Sequence, residues 1–200
     1  MDRLDLCASI LNTNTDAYSI LDVGCRGKEL KRRLNNIDQY TGIDLSEGDP
    51  EVVSHDLEKP LPFGPNEFDH SSALDVVEHI ENAQQLIKEL TRVSKKSVII
   101  SLPNMYHWQF RIKYLLGKEL SGKYSFYPHG SKDRHRWLTS YKNSVKFVTE
   151  NAFEYGINII PIIKERKKTK PLEWLDFLGS KVFPNLFSWG ALFIIKKEPD

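Results

Sequence analysis

The sequence predicts an α/β fold of three layers, with helices on both faces of a mostly parallel seven-stranded sheet whose last strand runs antiparallel. Three observations predict it. Short apolar runs recur along the chain, and several end on glycine or aspartate. Segments with helical spacing alternate with those runs, the pattern of crossover units that build a parallel sheet. The final run follows a segment punctuated by proline and glycine, 171–190, and an antiparallel return onto the preceding strand suits that connection.

Within an N-terminal helical segment, 1–18, residues 4–11 read as a short amphipathic helix. The run 19–24 is a strand ending on Gly24, with a helix-like segment 28–34 after it. Residues 39–44 form a second strand that ends on Asp44, and 51–55 a brief third, followed by Asp56. Asp44 and Asp56 lie only twelve positions apart, so no helix is expected between these strands. Pro60, Pro62 and Pro65 make 60–65 a loop, because proline removes a ladder donor and breaks helices. A fourth strand, 68–74, leads to Asp75.

Asn82 reads as a helix N-cap, with Gln85 placed for the reciprocal bond, and the stripe Leu86, Ile87, Leu90 and Val93 follows. The continuous apolar run 97–102 fits a strand covered on both faces. A helix over 105–116 closes at Gly117, and Ser140 caps another with the stripe Tyr141, Val145, Val148 and Ala152, ending near Gly156. Strands 157–163 and 191–196 complete the sheet. Without repeats, low-complexity tracts or linkers, 1–200 is expected to be a single domain.

Composition is that of a globular protein, 40% hydrophobic and 28% charged. A net charge of +1 gives no reason to expect a nucleic-acid partner. The lysine-rich stretch 164–170 reads as a solvated loop. Two cysteines, Cys7 and Cys25, make neither a disulfide framework nor a metal site. The start has no signal-peptide pattern and no run approaches the roughly 20 apolar residues of a membrane span, so a cytoplasmic location is the default expectation.

In open α/β sheets ligands lie beyond the carboxyl ends of the strands. Here those ends carry Asp22 with Gly24, then Asp44, Asp56 and Asp75. Converging carboxylates repel a pyrophosphate, and 24–29 lacks the glycine spacing of a dinucleotide fingerprint. A cationic or neutral cofactor rich in hydroxyls and amines suits that edge better.

The ordered blocks ILDVGCRG, GIDLSEG, SHDLEKPLPFGPNEFD, LDVVEHIEN and SLPN, over roughly 18–160, resemble the Rossmann-like class I S-adenosylmethionine-dependent methyltransferases. The nearest likeness is to their MetW-like and type 11 branch. The resemblance implies S-adenosyl-L-methionine as cofactor and assigns its binding residues. Gly24 would admit the methionine portion, flanked by Cys25, with Asp22 near the ammonium and Arg26 in reach of the carboxylate. Asp44, beside Leu45, would take both ribose hydroxyls, which a carboxylate can accept together. Asp56 and the Leu57 amide would face adenine, and Asp75 would border the methyl. Relatives usually have glycine where Arg26 and Lys28 stand, so the loop is expected to be shorter or differently shaped.

Methyl transfer needs alignment, and a base when a hydroxyl is the acceptor. His79 and His107 are the candidate bases, with packing or capping of its helix as the competing reading for His79 and lining of the acceptor pocket as the other reading for His107. The run Asp75-Val76-Val77-Glu78-His79 also resembles the D/E-x-x-E-H pattern of some metal-assisted O-methyltransferases. Metal-free relatives share it, and no metal is assigned from the sequence. Segment 117–139, with Tyr124, Phe126, Tyr127, His129, Arg134, His135, Arg136 and Trp137, is the expected acceptor-side insertion. Trp137 and Tyr141 also read as core anchors.

The apolar stretch 174–189 reads as core and homodimer-facing surface, or as a shallow membrane or lipid contact. The function expected is O-methylation of a small-molecule or glycan acceptor. The alternative is a non-catalytic cofactor-binding protein with a degenerate first motif. A nearly neutral chain lends little to a third reading, RNA methylation.

Overall fold

A computed structural model describes residues 2–45, 48–125, 134–165 and 169–197. Phe126, Tyr127 and His129 of the expected insertion, and 166–168 of the lysine-rich stretch, lie outside the described residues.

The strands are β1 (Tyr18–Val23), β2 (Ile37–Asp44), β3 (Val52–Ser54), β4 (Phe68–Leu74), β5 (Ser94–Pro103), β6 (Gly156–Ile162) and β7 (Gly190–Lys196). They form one sheet in the order β3-β2-β1-β4-β5-β7-β6. The first five run parallel, and β7 pairs antiparallel with both β5 and β6. The strand order reverses between β1 and β4, which places a crevice above their carboxyl ends.

One face of the sheet is covered by α2 (Ala83–Val93) and α4 (Tyr141–Asn151), over a core that includes Leu21, Val23, Ile87, Leu90, Ile100 and Phe193. The caps are those the sequence gives. Asn82 Oδ1 accepts from the Gln85 amide at 3.3 Å, and Ser140 Oγ from the Asn143 amide at 3.1 Å. On the other face α1 (Arg3–Leu11) packs Cys7, Ala8 and Leu11 against Ile20, Ile99 and Leu192. The proline-rich loop is pinned from below: buried Glu89 accepts from the Leu61 amide and pairs with Arg92, which donates to the Leu61 and Phe63 carbonyls.

Three expected elements differ. Residues 25–30 are turns followed by a 3-10 turn at Lys31–Arg33, not the helix expected over 28–34, because Arg26 and Lys28 hold left-handed φ of 46° and 56°. The helix expected from 105 is α3 (Trp108–Leu115), delayed because His107 Nδ1 accepts the Gln109 amide as its N-cap. The segment from 170 folds as α5 (Lys170–Val182) and α6 (Pro184–Phe187). Its burial is inverted: Asp176 and Ser180 face inward, while Trp174, Phe177, Val182 and Phe183 are exposed. No helix among the described residues is long and apolar enough to cross a membrane.

Candidate active site

Sheet register fixes the carboxyl edge. Asp22 pairs with Gly42 on one side and Ser72 on the other, and Asp44 pairs with Ser54. Asp44, Asp56 and Asp75 therefore stand at the tips of β2, β3 and β4, with Asp22 one residue inside the end of β1. The carboxylates expected to share an edge do share it.

Asp22 is almost fully buried and accepts hydrogen bonds from the Tyr40 and Ser72 hydroxyls, each at 2.8 Å. Burial pushes its carboxyl up to about 6, against the pull of those two bonds. Gly24 takes φ of 69° and donates its amide to Ile43, and a Cβ there would collide with Val76. Cys25 is buried against Gly42, and burial drives its thiol up to about 12, so it is not a nucleophile.

The Arg26 amide donates to Asp44 Oδ2 at 3.0 Å, and the Leu45 amide to Oδ1 at 2.7 Å. Gly24, Arg26 and Lys28 thus keep an alternating left-handed path. Lys28 is held by Asp49 and Glu51 at the start of β3. Asp56 accepts from the Glu58 amide, and Leu57 packs on the core. Asp75, with φ of 56°, accepts from Ser101 Oγ and is paired with Arg3 of α1 at 3.0 Å.

Beyond Asp75 a 3-10 turn, Val77–His79, buries Glu78 completely. Burial, reinforced by Asp75, pushes the Glu78 carboxyl well above the usual range. Residues 134–137 are strapped onto this turn: the Arg136 amide donates to the Glu78 carbonyl, Arg136 Nε to the His79 carbonyl and Trp137 Nε1 to the Ile80 carbonyl. The strap brings His135 to His79, ring centroids 4.5 Å apart. His107, the other candidate base, is fully buried, caps α3, and has Nε2 3.3 Å from Asp176, which also accepts from Trp108. Its ring holds α3 to α5.

A family model described as a methyltransferase domain matches residues 21–102, the stretch that carries Asp22, Gly24, Asp44, Asp56, Asp75, Glu78 and His79. Residues 21–102 are thus similar to the methyltransferase domains that this model describes. No curated protein matches the sequence. Solved structures agree on the fold at low identity. A methyltransferase of Thermotoga maritima, described as a possible histamine N-methyltransferase, shares 12% identity with a TM-score of 0.58, covering 97% of this chain and 88% of that one. For a methyltransferase of Archaeoglobus fulgidus the values are 17%, 0.61, 98% and 91%. The small RNA methyltransferase HEN1 gives 14% and 0.66, with 99% of this chain matched to 25% of that one.

The two sides of the edge differ in space. A cavity of about 30 Å³ lies beside Asp22, Gly24 and Arg26 under Arg3. A larger one, about 440 Å³, opens between α2 and α4 and is lined by Glu78, Glu81, Asn82, Asn143, Trp137 and Phe147, among others. The sequence reading missed the pairing of His135 with Glu78. Its signal was present only as a histidine inside the aromatic and basic segment.

Proposed function

We propose that this methyltransferase transfers the methyl group of S-adenosylmethionine to a hydroxyl of a small-molecule or glycan acceptor. The observation that carries the reading is the lining of the larger cavity. Trp137 and Phe147 offer aromatic walls for the apolar faces of a sugar-like ring, while Glu81, Asn82, Gln84 and Asn143 offer acceptors and donors for hydroxyls. A volume of about 440 Å³ falls within the range of small-molecule sites.

On the cofactor side, Asp44 holds the ribose, Asp56 and the Leu57 amide meet adenine, and Gly24 lets the methionine portion approach the backbone. Asp22 acts through the hydroxyls it fixes, since its own oxygens are buried. The Glu78–His79–His135 cluster lies beside the cavity and is the place where a hydroxyl proton is given up.

A second reading, cofactor binding without turnover, has one observation in its favour. The cofactor-side cavity is far smaller than the roughly 300 Å³ at the low end of ligand sites, and the Arg3–Asp75 pair lies beside it.

Incubation with methyl-labelled S-adenosylmethionine and fractionated cell extract, followed by mass spectrometry, separates the two. A labelled methyl ether supports O-methylation. Label on nitrogen or carbon rejects the hydroxyl acceptor, and binding of S-adenosylhomocysteine without any labelled product supports the second reading.

A further inference from the structure

We propose that the outward face of α5, continued by Phe183, docks this protein on the surface of an anionic lipid bilayer. Trp174, Leu175, Phe177, Leu178 and Val182 are exposed, at the spacings of three and four that share one face of a helix. Trp174 is 66% exposed, Val182 70% and Phe183 62%, so these side chains stand in water and not at the margin of the core. An amphipathic helix normally buries such a stripe, and here the reverse side is buried. A contiguous exposed apolar face of this kind marks a contact surface.

The helix cannot roll to hide that stripe. Asp176 is fully buried, accepts from Trp108 Nε1 at 2.7 Å and lies 3.3 Å from His107 Nε2. Turning Asp176 outward would break both contacts, and breaking a buried polar pair is costly. Ser180, one turn on, is buried as well, and Gly179 leaves no room for a Cβ against the Phe187 ring. The inward side is thus specified residue by residue, and exposure of the apolar side follows from it.

Charge around the stripe selects the partner. Lys181 stands on it with its ammonium over the Phe177 ring, 4.6 Å from the centroid, and a lysine so placed can stretch its charge to the headgroup level. Lys170 opens the helix and is exposed. Of the acids on α5, Asp176 is buried and Glu173 is paired with Lys170 at 3.1 Å. In sequence, five of the seven residues 164–170 are lysine or arginine, so the helix is entered from a basic stretch. An apolar stripe bordered by cations, with its acids buried or paired, is the make-up of a helix that lies in a lipid interface. A second copy of the chain fits less well, because a twofold contact through this face sets Lys181 near its own copy. Trp174 and Phe177 also wall a groove of about 450 Å³ between α5 and the sheet-edge strand β6, together with Leu6, Ile160 and Ile162. Fluid acyl chains can fill such a space, where a rigid surface would need a matching ridge. The docking does not rest on the proposed function.

Sedimentation of the full chain with sucrose-loaded vesicles tests this. The protein is expected to pellet with vesicles of phosphatidylcholine and phosphatidylglycerol in equal parts, and to bind phosphatidylcholine alone at least about tenfold more weakly. Tryptophan emission is expected to shift to the blue on binding, and to lose most of that shift in Trp174→Phe. Trp174→Ser combined with Val182→Ser, and Lys170→Gln combined with Lys181→Gln, are each expected to weaken binding about tenfold. All of these positions are exposed, and circular dichroism reports whether each variant folds. No pelleting of the wild-type chain with anionic vesicles overturns the proposal. Binding unchanged in the folded variants overturns the assigned face, and equal binding to neutral vesicles overturns the role of charge. A dimer in analytical ultracentrifugation that Trp174→Ser with Val182→Ser abolishes, in a chain that binds no vesicle, overturns the bilayer and gives the face to a second copy.

Discussion

The cofactor side and the acceptor side of the edge are built on opposite principles. Around Asp22 and Asp44 every carboxylate oxygen already accepts a bond from the protein: Tyr40 and Ser72 for one, the Arg26 and Leu45 amides for the other. Around Glu78 the carboxylate is as deeply buried, yet its oxygens have no hydrogen-bond partner among the described residues, and two imidazole nitrogens stand 3.7 and 4.0 Å from one of them. A buried polar group without a bond is costly. The fold thus spends bonds on shaping the first region and leaves the second to be completed by something else.

The largest expected effect breaks the cofactor side alone. Asp44→Ala removes a charge-assisted acceptor worth about 1.5–3 kcal/mol, a loss of roughly 10- to 150-fold in affinity for S-adenosylhomocysteine by calorimetry. His135→Ala, on the acceptor side, is expected to leave that affinity within about twofold. Unchanged affinity in Asp44→Ala removes Asp44 from the site.

A second test sharpens the role of burial. Asp22 rises from 3.8 to about 6 and His70 falls from 6.5 to about 4, both chiefly through burial. Above pH 6 the Asp22 term opposes folding in full, and this penalty disappears as pH falls to 3.8. The His70 term is the reverse: its stability is full above pH 6.5 and is lost as pH falls through 4. The two slopes offset each other in the wild type. Asp22→Asn deletes one, so relative to the wild type the variant is expected to lose about 2–3 kcal/mol between pH 6 and 4 in urea melts. Parallel curves would show that Asp22 ionises normally.

The smallest effect concerns the loop. Arg26→Gly relieves a left-handed φ at an exposed position while raising unfolded-chain entropy, so a gain of at most about 1 kcal/mol in the urea midpoint is expected. A loss of similar size would mean that the arginine side chain contributes more than its backbone strain costs.

The same contrast governs what could be read from the sequence. Asp44, Asp56 and Asp75 were legible because each closes a short apolar run, and strand ends in a parallel sheet share one edge. The Asn82 and Ser140 caps were legible because capping is local. The turn at 25–33 was not, because the left-handed conformation of Arg26 and Lys28 is imposed by the loop's fit and not by residue type. Nor was the inward face of α5: Asp176 is buried because Trp108 and His107, some 70 residues earlier, supply its partners. His135 meets Glu78 across 57 positions by way of a backbone strap, and no periodicity announces a contact of that kind.

Gly24 leaves no gap between the first loop and Val76, which sits between Asp75 and Glu78. A molecule that settles against the loop therefore presses on the peptide that shapes the opposite side. If either substrate shifts that shared wall, each must alter the other's affinity by an equal factor, whichever arrives first.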